Sequence, residues 1–419
     1  MDRPILVDVT RLLTRLHHRA PTGIDRVELA YARRFLDGSP ARDAVALTPF
    51  GARRLPKAVG TELVARLEER WRDGQQAGED PAAARLRAWL LAEPVPPPAQ
   101  PEPGRAGRGV PLRSLITRLR AATWPTLGPA QGGAIYLHTS HLRLDLPQRL
   151  SWLDGRPDIR PVFYVHDLIP IEHPEYSVPG EAARHRVRME TVARRAAAVL
   201  TNSEDVAERF RAHAAAENLP AVPVTPAPIG IEPGFTGAVM PLGASRPYLV
   251  ACSTIEGRKN HLLLLQLWRE LAGLLGPHTP ALVLVGRRGW ESEGATDLLD
   301  RCPGLRPHVI EAPGLPTRDL AALLAGAQAL LMPSFAEGYG IPVLEALSVG
   351  TPVIASDLPA HREVSRGCAT LLHPLDGLGW REAILAAAQR PRAARIAHPM
   401  PIPDWAGHFR FVDSVLASL

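Results

Sequence analysis

Short apolar runs alternate with amphipathic stretches along most of the chain. The opening "ILVDV" suits a buried strand, and "TGIDRVELAYARRFL" follows with Ile24, Val27, Tyr31 and Phe35 on one helical stripe. Thr22 and Gly23 stand where that helix would start. Further strands are predicted at "PVFYV", "AAVLT", "RPYLVAC", "ALVLVG", "PHVIEA", "ALLMPS" and "TPVIAS". Helical patterns such as "NHLLLLQLWRELAGLL" and "TRDLAALLAGA" separate them. Apolar strands alternating with helices argue for parallel sheets covered on both faces, an α/β architecture.

The pattern restarts near Arg246, after "PIGIEPGF", which reads as an interdomain linker. Two doubly wound domains are expected: residues 1–238, and residues 239–405, with a C-terminal helix over 406–419 packing back on the first. Length agrees, since 419 residues suit two domains of about 150 to 200 residues each. Two domains imply a cleft, where ligands are often bound. Residues 93–133 break the pattern with Pro, Gly and Arg ("EPVPPPAQPEPGRAGRG") and read as an insertion in the first domain. Within it "VPLRSLITRLRAA" puts Leu112, Leu115, Ile116 and Leu119 on one helical face. That suits either an interfacial helix on an anionic membrane or a solvated helix packing on its own domain.

Composition narrows the class. With 46% hydrophobic and 22% charged residues and no apolar run long enough to span a bilayer, the chain reads as soluble or peripheral. The N-terminal apolar run is short and broken by Asp8, so it does not read as a signal peptide and a cytoplasmic location is expected. Cys252, Cys302 and Cys368 are widely spaced and read as packing residues rather than zinc ligands or disulfides. A net charge of +5 admits nucleic acid, membrane or a phosphorylated substrate as partner. The arginines lack interleaved aromatics, so nucleic acid is not expected. Lys57 and Lys259 are the only lysines, which draws the eye to Lys259 inside a motif.

That motif is "ACSTIEGRKNHLLLL", where a strand ends near Cys252 and a helix starts near Asn260. Arg258 and Lys259 sit at the junction and would neutralise a diphosphate, although taken alone the pair also fits a solvated surface. In "ALLMPSFAEGYGIPVLEALSVGTPVIAS" the design repeats. A strand ends near Pro333, Gly338 and Gly340 permit tight backbone geometry, and Pro342 suits a helix start. Outward N–H groups and the positive helix end attract phosphate there. Glu337 falls in the loop and Glu345 in the first turn of the helix, where it serves either a ligand or the helix dipole.

These motifs, with "LVLVGRRGW", "YVHDLIPIEHPEY", "LTNSEDV" and "PIGIEPGF", occur in an order that resembles the retaining glycosyltransferases of family 4. Similarity is greatest to the bacterial mannosyltransferase-like members that build polysaccharides. It covers Val162 to Asp376, with a weaker match at "PTGIDRV". The resemblance implies the GT-B fold, two Rossmann-like domains facing across a cleft. It also implies that Arg258 and Lys259 bind the donor diphosphate, Glu345 the nucleotide ribose and Glu337 the hydroxyls of the donor sugar. The backbone of Gly338, Tyr339, Gly340 and Ile341 would lie near sugar and phosphate, Gly23 in the glycine loop of the first domain, and His166 near the transferred sugar. Two departures stand out: some relatives have a further arginine at the place of Ser253, and Gly257 replaces the usual proline.

The activity implied is retaining transfer of a hexose, mannose from GDP-mannose, to a glycan or lipid-linked acceptor. No cofactor is expected, and with no Asp-x-Asp motif in the chain no metal either. Glu337 as a glycosidase-type nucleophile fits less well beside two phosphate-binding cations. A glycoside phosphorylase or sugar-phosphate synthase of the same fold, and a non-catalytic sugar-nucleotide-binding protein, are the rival classes.

Overall fold

A computed structural model describes residues 3–16, 18, 21–37, 39, 41–76, 80–95, 124–127, 133–391 and 402–419. Residues 110–122, expected to form a helix, and most of the segment 93–133 lie outside the described residues.

The first sheet has seven strands: β1 (Ile5–Asp8), β2 (Arg42–Thr48), β3 (Gly51–Arg54), β4 (Ala134–His138), β5 (Ile159–Val165), β6 (Ala198–Thr201) and β7 (Val224–Pro226). Their order is β3-β2-β1-β4-β5-β6-β7, parallel except for β3, which runs antiparallel to β2. The second sheet has β8 (Tyr248–Cys252), β9 (Ala281–Val285), β10 (Val309–Glu311), β11 (Leu330–Met332), β12 (Val353–Ser356) and β13 (Ala369–Leu372). It is parallel throughout, in the order β10-β9-β8-β11-β12-β13. Central strands such as β1, β4 and β9 are buried at every residue, as helices on both faces of a parallel sheet require.

Each sheet reverses its strand order once, between β1 and β4 in the first and between β8 and β11 in the second. Loops leaving such neighbouring strands diverge and open a crevice at the carboxyl ends. After β1 and the short helix Thr10–Arg15 comes Gly23, the first residue of the next helix; the loop after β8 carries Arg258 and Lys259, and the loop after β11 carries Glu337.

The helix Gly23–Phe35 starts on a capping box. Thr22 Oγ1 accepts from the Asp25 N–H, and the Asp25 carboxylate accepts from the Thr22 N–H. Val27, Tyr31 and Phe35 are buried, as the stripe predicts, while Ile24 is half-buried. The C-terminal helix Trp405–Ser418 lies against this helix: His408 Nε2 is 3.0 Å from the Tyr31 hydroxyl, and Phe409 packs edge-on to Tyr31 and Phe35. The connecting stretch 228–235 is not a loose tether. Ile229, Ile231 and Phe235 are buried, and the Ile231 N–H donates to the Pro403 carbonyl.

Candidate active site

The loop after β8 turns through a short 3-10 segment, Gly257–Lys259, and closes on Asn260 in a left-handed conformation with φ 53°. Asn260 Nδ2 donates to the Pro333 and Pro374 carbonyls, and the Phe335 N–H donates to the Arg258 carbonyl. Those bonds lace the cationic loop to the loop after β11. The two loops therefore present their side chains as one unit.

At their junction Lys259 Nζ lies 2.5 Å from Glu337 Oε1, Arg258 Nη1 lies 3.2 Å from Oε2, and Ser334 Oγ donates to Oε1 at 2.7 Å. Arg258 also reaches Glu256, at 2.7 Å, and the Ala336 carbonyl. Burial alone would push the Glu337 carboxyl up, yet Lys259 and Arg258 hold it well below the usual carboxylate range. Glu337 is ionised, positioned, and 7% exposed at its side chain.

Gly340, with φ 98°, caps the helix Ile341–Ser348 in a conformation that favours glycine. Glu345 is the fifth residue of that helix, not a member of its first turn, so the dipole gives it little support. The expectation of a first-turn acid is thus corrected. Burial pushes its carboxyl above the ordinary value, opposed by Arg26, whose Nη1 stands 3.1 Å away from the other side of the cleft. Gly23 opens the helix that carries Arg26, and a Cβ built on it would touch Ile341 at 3.7 Å.

His166 follows β5 and is buried; its Nε2 donates to the Thr139 carbonyl at 2.8 Å. Burial lowers its pKa to about 4, so the ring is neutral. Its carbonyl accepts from Asn202 Nδ2 and faces Gly338, where a Cβ would stand 2.7 Å from that oxygen. The Tyr339 side chain leaves the cleft, with its hydroxyl bonded to the Ile229 carbonyl, so this residue offers only backbone to the site. Tyr176 of the first domain stacks on Phe335 at 5.7 Å between ring centres, and Trp290 Nε1 donates to the Tyr176 carbonyl.

The structure thus gathers Arg258, Lys259, Glu337 and Gly338 in one cluster, with Glu345, Ile341 and Gly23 in a second beside it and His166 below Gly338. Sequence reasoning missed Arg26, Ser334, Glu256 and Asn202. All four sit within the quoted motifs, but Arg26 and Glu345 are 319 residues apart, a separation no local pattern spans. Among the described residues, no group of three or more His, Cys, Asp or Glu side chains is arranged to hold a metal ion. No helix among them is long and apolar enough to cross a membrane.

Two Rossmann-like parallel sheets opposed across a cleft lined by paired cations and carboxylates define the GT-B class. Residues 246–390 match the family described as Glycosyl transferases group 1. The serotype-specific mannosyltransferase WbdA of Escherichia coli is 27% identical over 228 residues, covering 49% of this chain and 27% of that protein. The O-antigen chain mannosyltransferase B of Escherichia coli is 38% identical over 130 residues, 31% of this chain and 33% of the relative. The chain thus spans about a quarter to a third of the length of these relatives. Among solved structures, Anabaena HepE in complex with UDP and glucose shares the fold over 100% of both chains, with a TM-score of 0.62 at 17% identity.

Proposed function

We propose that this protein is a retaining, metal-independent hexosyltransferase that moves mannose from GDP-mannose to a glycan or lipid-linked saccharide in polysaccharide biosynthesis. The observation that carries the reading is the Lys259–Glu337–Arg258 cluster at the point where the strand order of the second sheet reverses. The names of the mannosyltransferase relatives support the choice of sugar.

Departure of the sugar leaves charge on the diphosphate. Arg258 and Lys259 are placed before the reaction and would stabilise that charge more as it grows, which lowers the barrier rather than merely tightening binding. Glu337, kept ionised, would accept hydrogen bonds from sugar hydroxyls once phosphate draws the cations away. Glu345 would do the same for the ribose. Neutral His166, with its ring nitrogen committed to Thr139, would shape the sugar pocket rather than transfer protons. The acceptor's own proton passes to the departing phosphate, so no separate base is needed.

We place the reaction in the cytoplasm at the inner membrane face, because the six arginines and absent acids between Pro103 and Leu144 suit anionic lipid. The test is incubation of the purified protein with GDP-mannose and an acceptor panel, with the anomeric configuration of the product read by NMR. Turnover that survives EDTA and yields an α-linked product supports the reading. Phosphate-dependent release of sugar without any nucleotide would replace it with a phosphorylase, and binding without turnover across the panel with a sensor.

A further inference from the structure

Each carboxylate of the cleft is answered by a cation, but from different domains. Glu337 is held by Arg258 and Lys259 of its own domain, Glu345 by Arg26 of the opposite one. On the second-domain face those two cations meet three carboxylates, Glu256, Glu337 and Glu345. His361 adds no charge, since burial outweighs the pull of Glu337 and of the Ser356 carbonyl and lowers its pKa. A diphosphate approaching this face alone would meet excess negative charge at close range. Arg26 is the first-domain cation paired with the third of these carboxylates, in a cavity it shares with Glu232.

The geometry favours a mobile cation on a fixed acid. The Arg26 side chain is 24% exposed and that of Glu345 only 3%. Arg26 also lines a solvent-open cavity of about 120 Å³ with Arg33, Trp71, Glu232 and Trp405, which gives the guanidinium room to turn. Cys252 ends β8, the strand whose loop carries Arg258 and Lys259. The adjoining residue, Ser253, brings no cation of its own.

We infer that Arg26 is the third cation of the donor site. When a nucleotide-diphosphate sugar binds, Arg26 leaves Glu345 for the diphosphate, and ribose hydroxyls take its place on the carboxylate. No buried charge is stranded by the exchange: the acid trades a guanidinium for hydroxyl donors, and the guanidinium trades a carboxylate for phosphate oxygens. Because Arg26 belongs to the first domain, its move would make both domains contribute to the donor site. The inference rests on the reading of the ligand as a nucleotide-diphosphate sugar.

Calorimetric titration tests it, with inorganic pyrophosphate, GDP, UDP, guanosine and uridine as probes. The proteins are the wild type, Arg26→Ala, Arg26→Lys and Glu345→Gln, each checked by thermal unfolding, with Arg26→Gln standing in for Arg26→Ala if that variant does not fold. Arg26→Ala is expected to lose tenfold or more in affinity for the bound nucleoside diphosphate while keeping or gaining affinity for its nucleoside. Arg26→Lys restores part of the loss, and Glu345→Gln, which frees Arg26, binds pyrophosphate more tightly than the wild type. Equal gains for nucleoside and diphosphate would mean that Arg26 only occludes the site, and equal losses or no change that it is structural; each overturns the inference alone. Wild-type protein that binds neither GDP nor UDP overturns the nucleotide-sugar reading and this inference with it.

Discussion

Gly338 lies so close to His166 that a Cβ on it would stand 2.7 Å from the His166 carbonyl oxygen and 2.9 Å from Asp167 Cβ. The contact joins the loop after β11 to the loop after β5, one from each domain. Gly338→Ala must push those loops apart, because backbone offers no flexible end to give way. The substitution is expected to cost about 1–3 kcal/mol of stability and to lower kcat/KM by tenfold or more. Thermal unfolding with steady-state kinetics checks both; wild-type kinetics in Gly338→Ala would show that the two loops do not need this approach.

Lys259→Met removes one of two cations from the buried Glu337 carboxylate. Arg258 and Ser334 still hold that carboxylate, so the loss of stability should stay below the roughly 3–5 kcal/mol of a fully stranded buried charge. Activity should fall much further, by about 10²–10³-fold or more, since a point charge aimed at developing negative charge is lost. Denaturant unfolding beside a transfer assay separates the two effects. An active Lys259→Met enzyme would remove Lys259 from the proposed donor site.

His408 gives a pH signature. Burial lowers its pKa to about 4 from 6.5, so between those values the unfolded chain binds the extra proton and stability falls as pH falls. Linkage puts the loss at about 1 kcal/mol between pH 7.5 and 5.5 for this residue. The raised carboxyls of Glu28 and Glu345 act in the opposite sense, but they are common to wild type and variant. Urea unfolding of wild type and His408→Asn at both pH values should therefore show a flatter profile in the variant; parallel profiles would show that His408 is not buried in its neutral form.

Gly230 backs directly onto the start of the C-terminal helix, where a Cβ would overlap the Trp405 backbone nitrogen. Gly230→Ala should lift that helix from Tyr31 and Phe35 and expose it to protease. Limited proteolysis, read as faster loss of the fragment after Ile402, checks this. Unchanged cleavage together with an unchanged melting temperature would show that the helix is not seated there.

Much of the architecture was legible because buried parallel strands need continuous apolar runs. "PVFYV", "ALVLVG" and "TPVIAS" carry that requirement on their face, and each overlaps an observed strand. Four of the five missed strands have reasons too. "RDAVALT" of β2 begins with two charges, "VTP" of β7 is three residues at a sheet edge, "ATLL" of β13 is nowhere fully buried, and "AIYLH" of β4 follows directly on the Pro/Gly/Arg-rich segment.

The candidate site divides along the same line. Local order determined that Arg258 and Lys259 follow one strand and that Glu337, Gly338 and Gly340 follow another, because each set lies on a single strand-to-helix turn. Only the tertiary structure decided that the two turns emerge side by side, through the reversal between β8 and β11, and that Lys259 closes on Glu337. It alone set Arg26 against Glu345 and moved that acid out of the first helical turn. Local sequence acts through turns, caps and periodic burial over a few residues. Pairings across sheets and domains depend on strand order and on how charges buried far apart in the chain come to neutralise one another.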